Sequence, residues 1–259
     1  MSIGVFDSGF GGLSVMRAIQ ERLPQESILY FGDTARLPYG NKSAEAIRRY
    51  SIENTSFLIA QGIKLLVIAC NTACACALEE LQNSFSLPIV GVILPGVEAV
   101  AELENVRSIA ILGTERTIEA GVHKSMIERR LPKTSVIGVA CPLLVPLVEE
   151  GYFDHPLTRI VIHEYLAPLK ESSVDTLLLA CTHYPLLEEA IQREMGPEIR
   201  LVDPAKKCAE EVERVLVQMN AKATGPATQR FFVSDDAEKF RLLGRNFLCQ
   251  PIEIVGEII

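Results

Sequence analysis

The chain has 259 residues, 48% of them hydrophobic, and a formal net charge of −8. This length and apolar content suit one large or two small globular domains with a real core and exclude a disordered chain. The acidic balance argues against a nucleic-acid or anionic-membrane surface. The first residues carry neither a basic region nor a long apolar stretch, and no apolar run reaches membrane-spanning length, so a cytoplasmic protein is expected.

Residues 3–6 read as a first short strand running into Asp7-Ser8-Gly9-Phe10-Gly11-Gly12, after which Leu13, Met16, Ile19 and Leu23 keep helical spacing. The glycines permit a tight turn or a close approach of backbone to a ligand. Ser14 stands where the dinucleotide pattern G-x-G-x-x-G needs its third glycine, so a purely structural turn remains beside a ligand-binding one. Residues 28–31 read as a second strand, leading into Gly32-Asp33-Thr34-Ala35-Arg36-Leu37-Pro38-Tyr39-Gly40. That polar loop reads either as the lining of a site or as a solvated connector. A helix is expected over 43–61, then a buried strand over 65–69 that ends at Cys70-Asn71-Thr72. A helix to about 84 comes next, with Asn71 or Thr72 as its N-cap, and then a strand over 88–93.

The pattern then restarts. Strands are expected at 108–112, before Thr114 and Thr117, at 135–139, before Cys141-Pro142, at 175–180, before Cys181-Thr182-His183, and at 199–203. Strand ends near 7, 33, 70 and 94 are matched by ends near 113, 141, 181 and 203, which reads as an internal duplication of a four-stranded βα unit. A helix over 209–219, a strand over 231–233, a helix from about 235 and a final apolar segment are expected to pack back on the first domain. The fold class is therefore α/β: two pseudosymmetric domains with parallel sheets and an active site in the cleft between them. Residues 1–95 with 207–259 form the domain carrying Cys70, and 96–206 the domain carrying Cys181.

Seven cysteines, an odd number, are expected as free thiols rather than a disulfide framework. The spacing of Cys70, Cys74 and Cys76 matches no common zinc or iron–sulfur run, so no metal is expected. Cys70 and Cys181 differ from the others in ending equivalent strands, each succeeded by small polar residues. A thiol at a helix N-terminus is expected to favour its thiolate. Two thiols on opposite walls of one cleft, one ionised and one protonated, supply a base on one face of a carbon and an acid on the other, which is what racemisation requires. Asp7 is expected beside Cys70, and His183 lies two residues after Cys181, so each is placed to exchange a proton with its thiol or set its charge. Ser8, Asn71, Thr72, Thr114, Thr117 and Thr182 converge on the same sheet edges and suit carboxylates and an ammonium, although each alone also reads as a helix cap.

The motifs Ile3-Gly4-Val5-Phe6-Asp7-Ser8-Gly9 with Gly11-Gly12, Gly32-Asp33-Thr34-Ala35-Arg36 with Pro38-Tyr39-Gly40, Ala69-Cys70-Asn71-Thr72-Ala73, Pro146-Leu147-Val148-Glu149-Glu150-Gly151 and Ala180-Cys181-Thr182-His183-Tyr184-Pro185 run from end to end of the chain. With them the chain resembles the cofactor-independent aspartate/glutamate racemase family. The resemblance implies interconversion of L- and D-glutamate for peptidoglycan synthesis, without pyridoxal phosphate or any other cofactor, by a homodimer. It implies that Cys70 and Cys181 transfer the proton, that Asp7, Glu150 and His183 assist, and that Asp7, Ser8, Tyr39, Gly40, Asn71, Thr72, Thr182 and His183, with Thr114 and Thr117, hold the substrate. Leu94 and Phe10 depart from the family pattern, which touches loop packing rather than chemistry. The chain also lacks the N-terminal extension of relatives that respond to a cell-wall precursor, so that form of activation is not expected. Three alternatives stay open: an aspartate-directed sister enzyme, a thiol redox protein (against which stands the lack of a Cys-x-x-Cys pair) and a two-lobed acidic-ligand binder.

Overall fold

The computed structural model describes residues 1–253 and 255–257. Ile254, Ile258 and Ile259, part of the expected final apolar segment, lie outside the described residues. The first half builds β1 (Ser2–Asp7), α1 (Leu13–Arg22), β2 (Ile28–Gly32), two 3-10 turns (Thr34–Arg36 and Tyr39–Asn41), α2 (Ala44–Ala60), β3 (Ile63–Ile68), α3 (Asn71–Ser84), β4 (Ile89–Gly91) and α4 (Ile93–Ala101). The second builds β5 (Ser108–Gly113), α5 (Glu115–Ala120), α6 (Val122–Arg130), β6 (Ser135–Ala140), α7 (Leu144–Glu149), α8 (Pro156–Lys170), β7 (Thr176–Ala180), a 3-10 turn (Tyr184–Leu187), α9 (Glu188–Met195) and β8 (Arg200–Val202). The tail adds α10 (Ala205–Gln218), β9 (Gln229–Val233), α11 (Ala237–Leu248) and β10 (Val255–Glu257).

Two parallel sheets result. Their orders are β10-β9-β2-β1-β3-β4 and β6-β5-β7-β8. The duplication read from the strand spacing is therefore topological, since β2-β1-β3-β4 and β6-β5-β7-β8 have the same order. The tail returns to the first sheet through β9, which pairs with β2. Strands β1, β3, β5 and β7 are covered on both faces by helices, which is why they read as near-continuous apolar runs. Edge strand β6 is half-exposed and alternates less cleanly. The expected divisions at 96 and 207 both fall inside helices, α4 and α10, which pack against each other. No helix among the described residues is long and apolar enough to cross a membrane.

Both sheets present their carboxyl ends to one junction. There the backbone of one half reaches side chains of the other. A Cβ added at Gly11 would come within 2.2 Å of Thr182 Oγ1, and one at Gly40 within 2.6 Å of Thr114 Cβ. Glycine at these two points is a requirement of close approach across the junction.

Candidate active site

Cys70 lies just past the end of β3 and is itself the N-cap of α3: its Sγ accepts from the backbone N–H of Ala73 at 3.4 Å. This corrects the expectation that Asn71 or Thr72 caps the helix; both are already inside its first turn, and their side chains are free for the junction. The Cys70 thiol donates to Ser8 Oγ at 3.7 Å. Burial pushes this thiol up to about 12, and the nearby Asp7 pushes it the same way against the Ala73 N–H and Ser8. The expected thiolate preference of a helix N-terminus is thus reversed here, because one N–H and a partial dipole charge do not offset loss of solvent beside a carboxylate.

Asp7, fully buried at the end of β1, accepts from Gly9 N–H at 3.0 Å and from the Thr182 hydroxyl at 3.3 Å. Burial raises its pKa, against the opposing pull of His183 and these hydrogen bonds. Asp7 therefore touches both walls and not the Cys70 wall alone.

On the opposite wall, His183 Nδ1 lies 3.9 Å from Cys181 Sγ, and its Nε2 lies 3.2 Å from Glu149 Oε1. The second contact is an ion pair by distance, with the atoms off the line of a good hydrogen bond. Burial disfavours the His183 cation, but Cys181 and Glu149 outweigh it and raise the imidazole to about 10. The resemblance pointed to Glu150 as the assisting carboxylate. The structure places Glu149 there instead, 13% exposed, while Glu150 is 67% exposed and faces Lys239 at 3.7 Å. Consecutive residues at a helix end point about 100° apart; with Glu149 turned inward at the end of α7, Glu150 turns to solvent.

Cys70 and Cys181 line one small cavity together with Ser8, Pro38, Tyr39, Gly40, Asn71, Thr72, Thr114, Val145, Thr182 and His183. Asp7 lies behind it, and Thr117 reaches it through a triangle of hydroxyls: Thr72 to Thr114 at 2.9 Å, Thr72 to Thr117 at 3.0 Å and Thr114 to Thr117 at 2.9 Å. That triangle joins the start of α3 to the start of α5, and so one half to the other. Tyr39 is held from behind, its hydroxyl donating to Asp33 and accepting from Asn54 Nδ2 at 3.0 Å. Among these, Pro38, Val145, Glu149, Asp33 and Asn54 were not singled out from the sequence. Glu149 sits next to the carboxylate that was, and helix phase is the signal that separates the two. The cavity has a volume of about 20 Å³, room for about one water. A much larger surface groove of about 890 Å³ beside Asp154 and α9 holds neither cysteine.

Residues 3–212 match the Asp/Glu/hydantoin racemase family. The chain is 46% identical to the glutamate racemase of Geobacter metallireducens over 249 residues, covering 95% of this chain and 92% of that protein. Among solved structures it resembles glutamate racemase from Francisella tularensis in complex with D-glutamate, with a TM-score of 0.93, 33% identity and coverage of 100% and 97%. It also resembles glutamate racemase isoform RacE1 from Bacillus anthracis, with a TM-score of 0.95, 35% identity and the same coverage.

Proposed function

The chain belongs to the Asp/Glu/hydantoin racemase family and its reaction is the interconversion of L- and D-glutamate; from that premise, we propose that Cys70 and Cys181 invert Cα as opposed acid and base. The observation that carries this reading is that the two sulfurs line one cavity from two different sheets. One thiolate removes the Cα proton as H⁺ and becomes a thiol. The electron pair stays on the substrate as a carbanion, and the opposite thiol gives its proton to the other face and becomes the thiolate. The reverse reaction exchanges the roles. His183, cationic beside Cys181, balances negative charge on that sulfur or returns a proton to it. Cys70, held as a thiol, is the donor of the resting site.

Ser8, Asn71, Thr72, Thr182 and the backbone at Tyr39-Gly40 receive the substrate's carboxylates and ammonium, with Thr114 and Thr117 at its far end. Glu150 has no contact with this group, so Glu149 takes the assisting role proposed here. Residues 1–95 with 207–259 act as one lobe and 96–206 as the other, a division supported by sheet membership. The enzyme works as a cytoplasmic homodimer without a cofactor. Sedimentation of the purified chain tests the dimer, and activity after dialysis against chelator and a carbonyl trap tests the last point.

The deciding experiment is racemisation in heavy water. Exchangeable thiol protons become deuterons before substrate binds. D-glutamate formed early from L-glutamate should then carry deuterium at Cα, while remaining L-glutamate stays protiated, and the labelling should mirror this from D-glutamate. A single base serving both faces carries substrate hydrogen into product, so early product that retains protium overturns the two-thiol assignment.

A further inference from the structure

Two of the chain's four histidines are buried, His183 at the thiol and His123 away from it. His123 sits on α6, in the half built on the second sheet, and is 3% exposed. Its Nε2 lies 3.0 Å from Oδ1 of Asn71, the first residue of α3 and the neighbour of Cys70 in the other half. Asn71 lines the substrate cavity, and its Nδ2 is buried without a hydrogen-bond partner. His123 Nδ1 is likewise unpartnered.

These facts fix a proton and an amide together. A carboxamide oxygen only accepts, so Nε2 carries the ring proton. Burial lowers the His123 pKa to about 4 and keeps the ring neutral, so Nδ1 is the bare nitrogen. A buried lone pair without a donor is tolerated more often than a buried N–H without an acceptor, and the unpartnered Nδ1 fits that. Turning the amide over would set its NH2 against the Nε2–H donor and its oxygen against an incoming carboxylate.

We propose that His123 is a positioning residue: as its Nε2–H tautomer it holds the Asn71 amide with the NH2 turned to the cavity, where it donates to a carboxylate oxygen of glutamate. The assignment rests on the reading that this cavity binds glutamate. It deepens that reading by coupling Asn71 to the other half of the molecule.

Wild-type racemisation of L-glutamate tests the premise by itself. Given that activity, His123→Leu keeps bulk but loses the donor, and KM for both enantiomers should rise about tenfold or more, with kcat changed less, as for a lost hydrogen bond to a charged group. His123→Gln retains an N–H and should restore KM to within about threefold. Asn71→Ala should raise KM as well, and adding His123→Leu to it should raise KM little further, because His123 acts through Asn71. Nitrogen-15 NMR of the folded enzyme should show a protonated Nε2 and a bare Nδ1, a readout independent of whether any variant folds. An Nδ1–H tautomer, an unchanged KM in a folded His123→Leu, or additive effects in the double variant would overturn the proposal.

Discussion

At the scale of single residues, the site separates groups that a sequence motif runs together. Glu149 and Glu150 are chemically identical neighbours, yet the first meets His183 and the second meets solvent and Lys239. Glu149→Gln should therefore lower kcat/KM by about tenfold or more, since His183 loses the carboxylate that keeps it cationic, while Glu150→Gln should stay within about twofold, as surface ion pairs contribute little. Circular dichroism of glutamate turnover measures both. Replacing either sulfur by oxygen, Cys70→Ser or Cys181→Ser, should cost about 10²-fold to 10⁴-fold in both directions, the range of a general acid–base group, because in the proposed scheme each thiol serves one face whichever enantiomer enters. A variant of either cysteine that racemises at the wild-type rate would rule out the two-sulfur scheme.

The elements hold these residues by their ends. β3 and β7 deliver their cysteines in the same way, but the chain beyond each cysteine takes a different path. α3 continues from Cys70 as a regular helix, whereas Cys181 leads into a turn that brings His183 back beside its sulfur, ahead of the short 3-10 segment. Similar strands thus yield one thiol capped by a backbone N–H and one paired with an imidazole. The α5–α6 pair depends on a break at Gly121, which has φ +65° with no atom near a would-be Cβ. Gly121→Ala should destabilise the protein by about 1 kcal/mol through backbone strain alone. Urea unfolding should show a lower midpoint at unchanged slope, and an unaltered midpoint would mean that the turn relaxes without cost. Because α5 carries Thr117 and α6 carries His123, the same variant should also weaken substrate binding.

For the whole molecule, the buried titrating groups set a stability profile. His183, raised to about 10 from 6.5, contributes stability that is complete below pH 6.5 and lost as pH rises to about 10. Cys70, raised to about 12 from 9.0, adds a loss between those values, since the unfolded thiol ionises first. His123, lowered to about 4 from 6.5, contributes stability that is complete above pH 6.5 and lost as pH falls to about 4. These three windows leave a maximum near pH 6.5. Unfolding midpoints measured across pH should trace that shape, and His183→Gln should flatten the limb between 6.5 and 10. A limb of the same slope in that variant would place the alkaline loss elsewhere. Closure acts at the same scale. A cavity of about 20 Å³ cannot take glutamate, so the site must widen for substrate to enter.

Strand and helix periodicity, the restart of the pattern after residue 95 and the paired Ala-Cys motifs made the architecture and both thiols legible in the amino-acid order, because buried parallel strands and their polar ends are local patterns. The hydroxyls and amides of the site were legible too, as residues at strand ends. The cap on α3, the protonation of Cys70, the choice of Glu149 over Glu150 and the bond from His123 to Asn71 were not. Each depends on which way a side chain turns and on what the other half of the molecule brings against it. Burial and a partner from a distant segment decide protonation, and neither is a property of neighbouring residues in the chain.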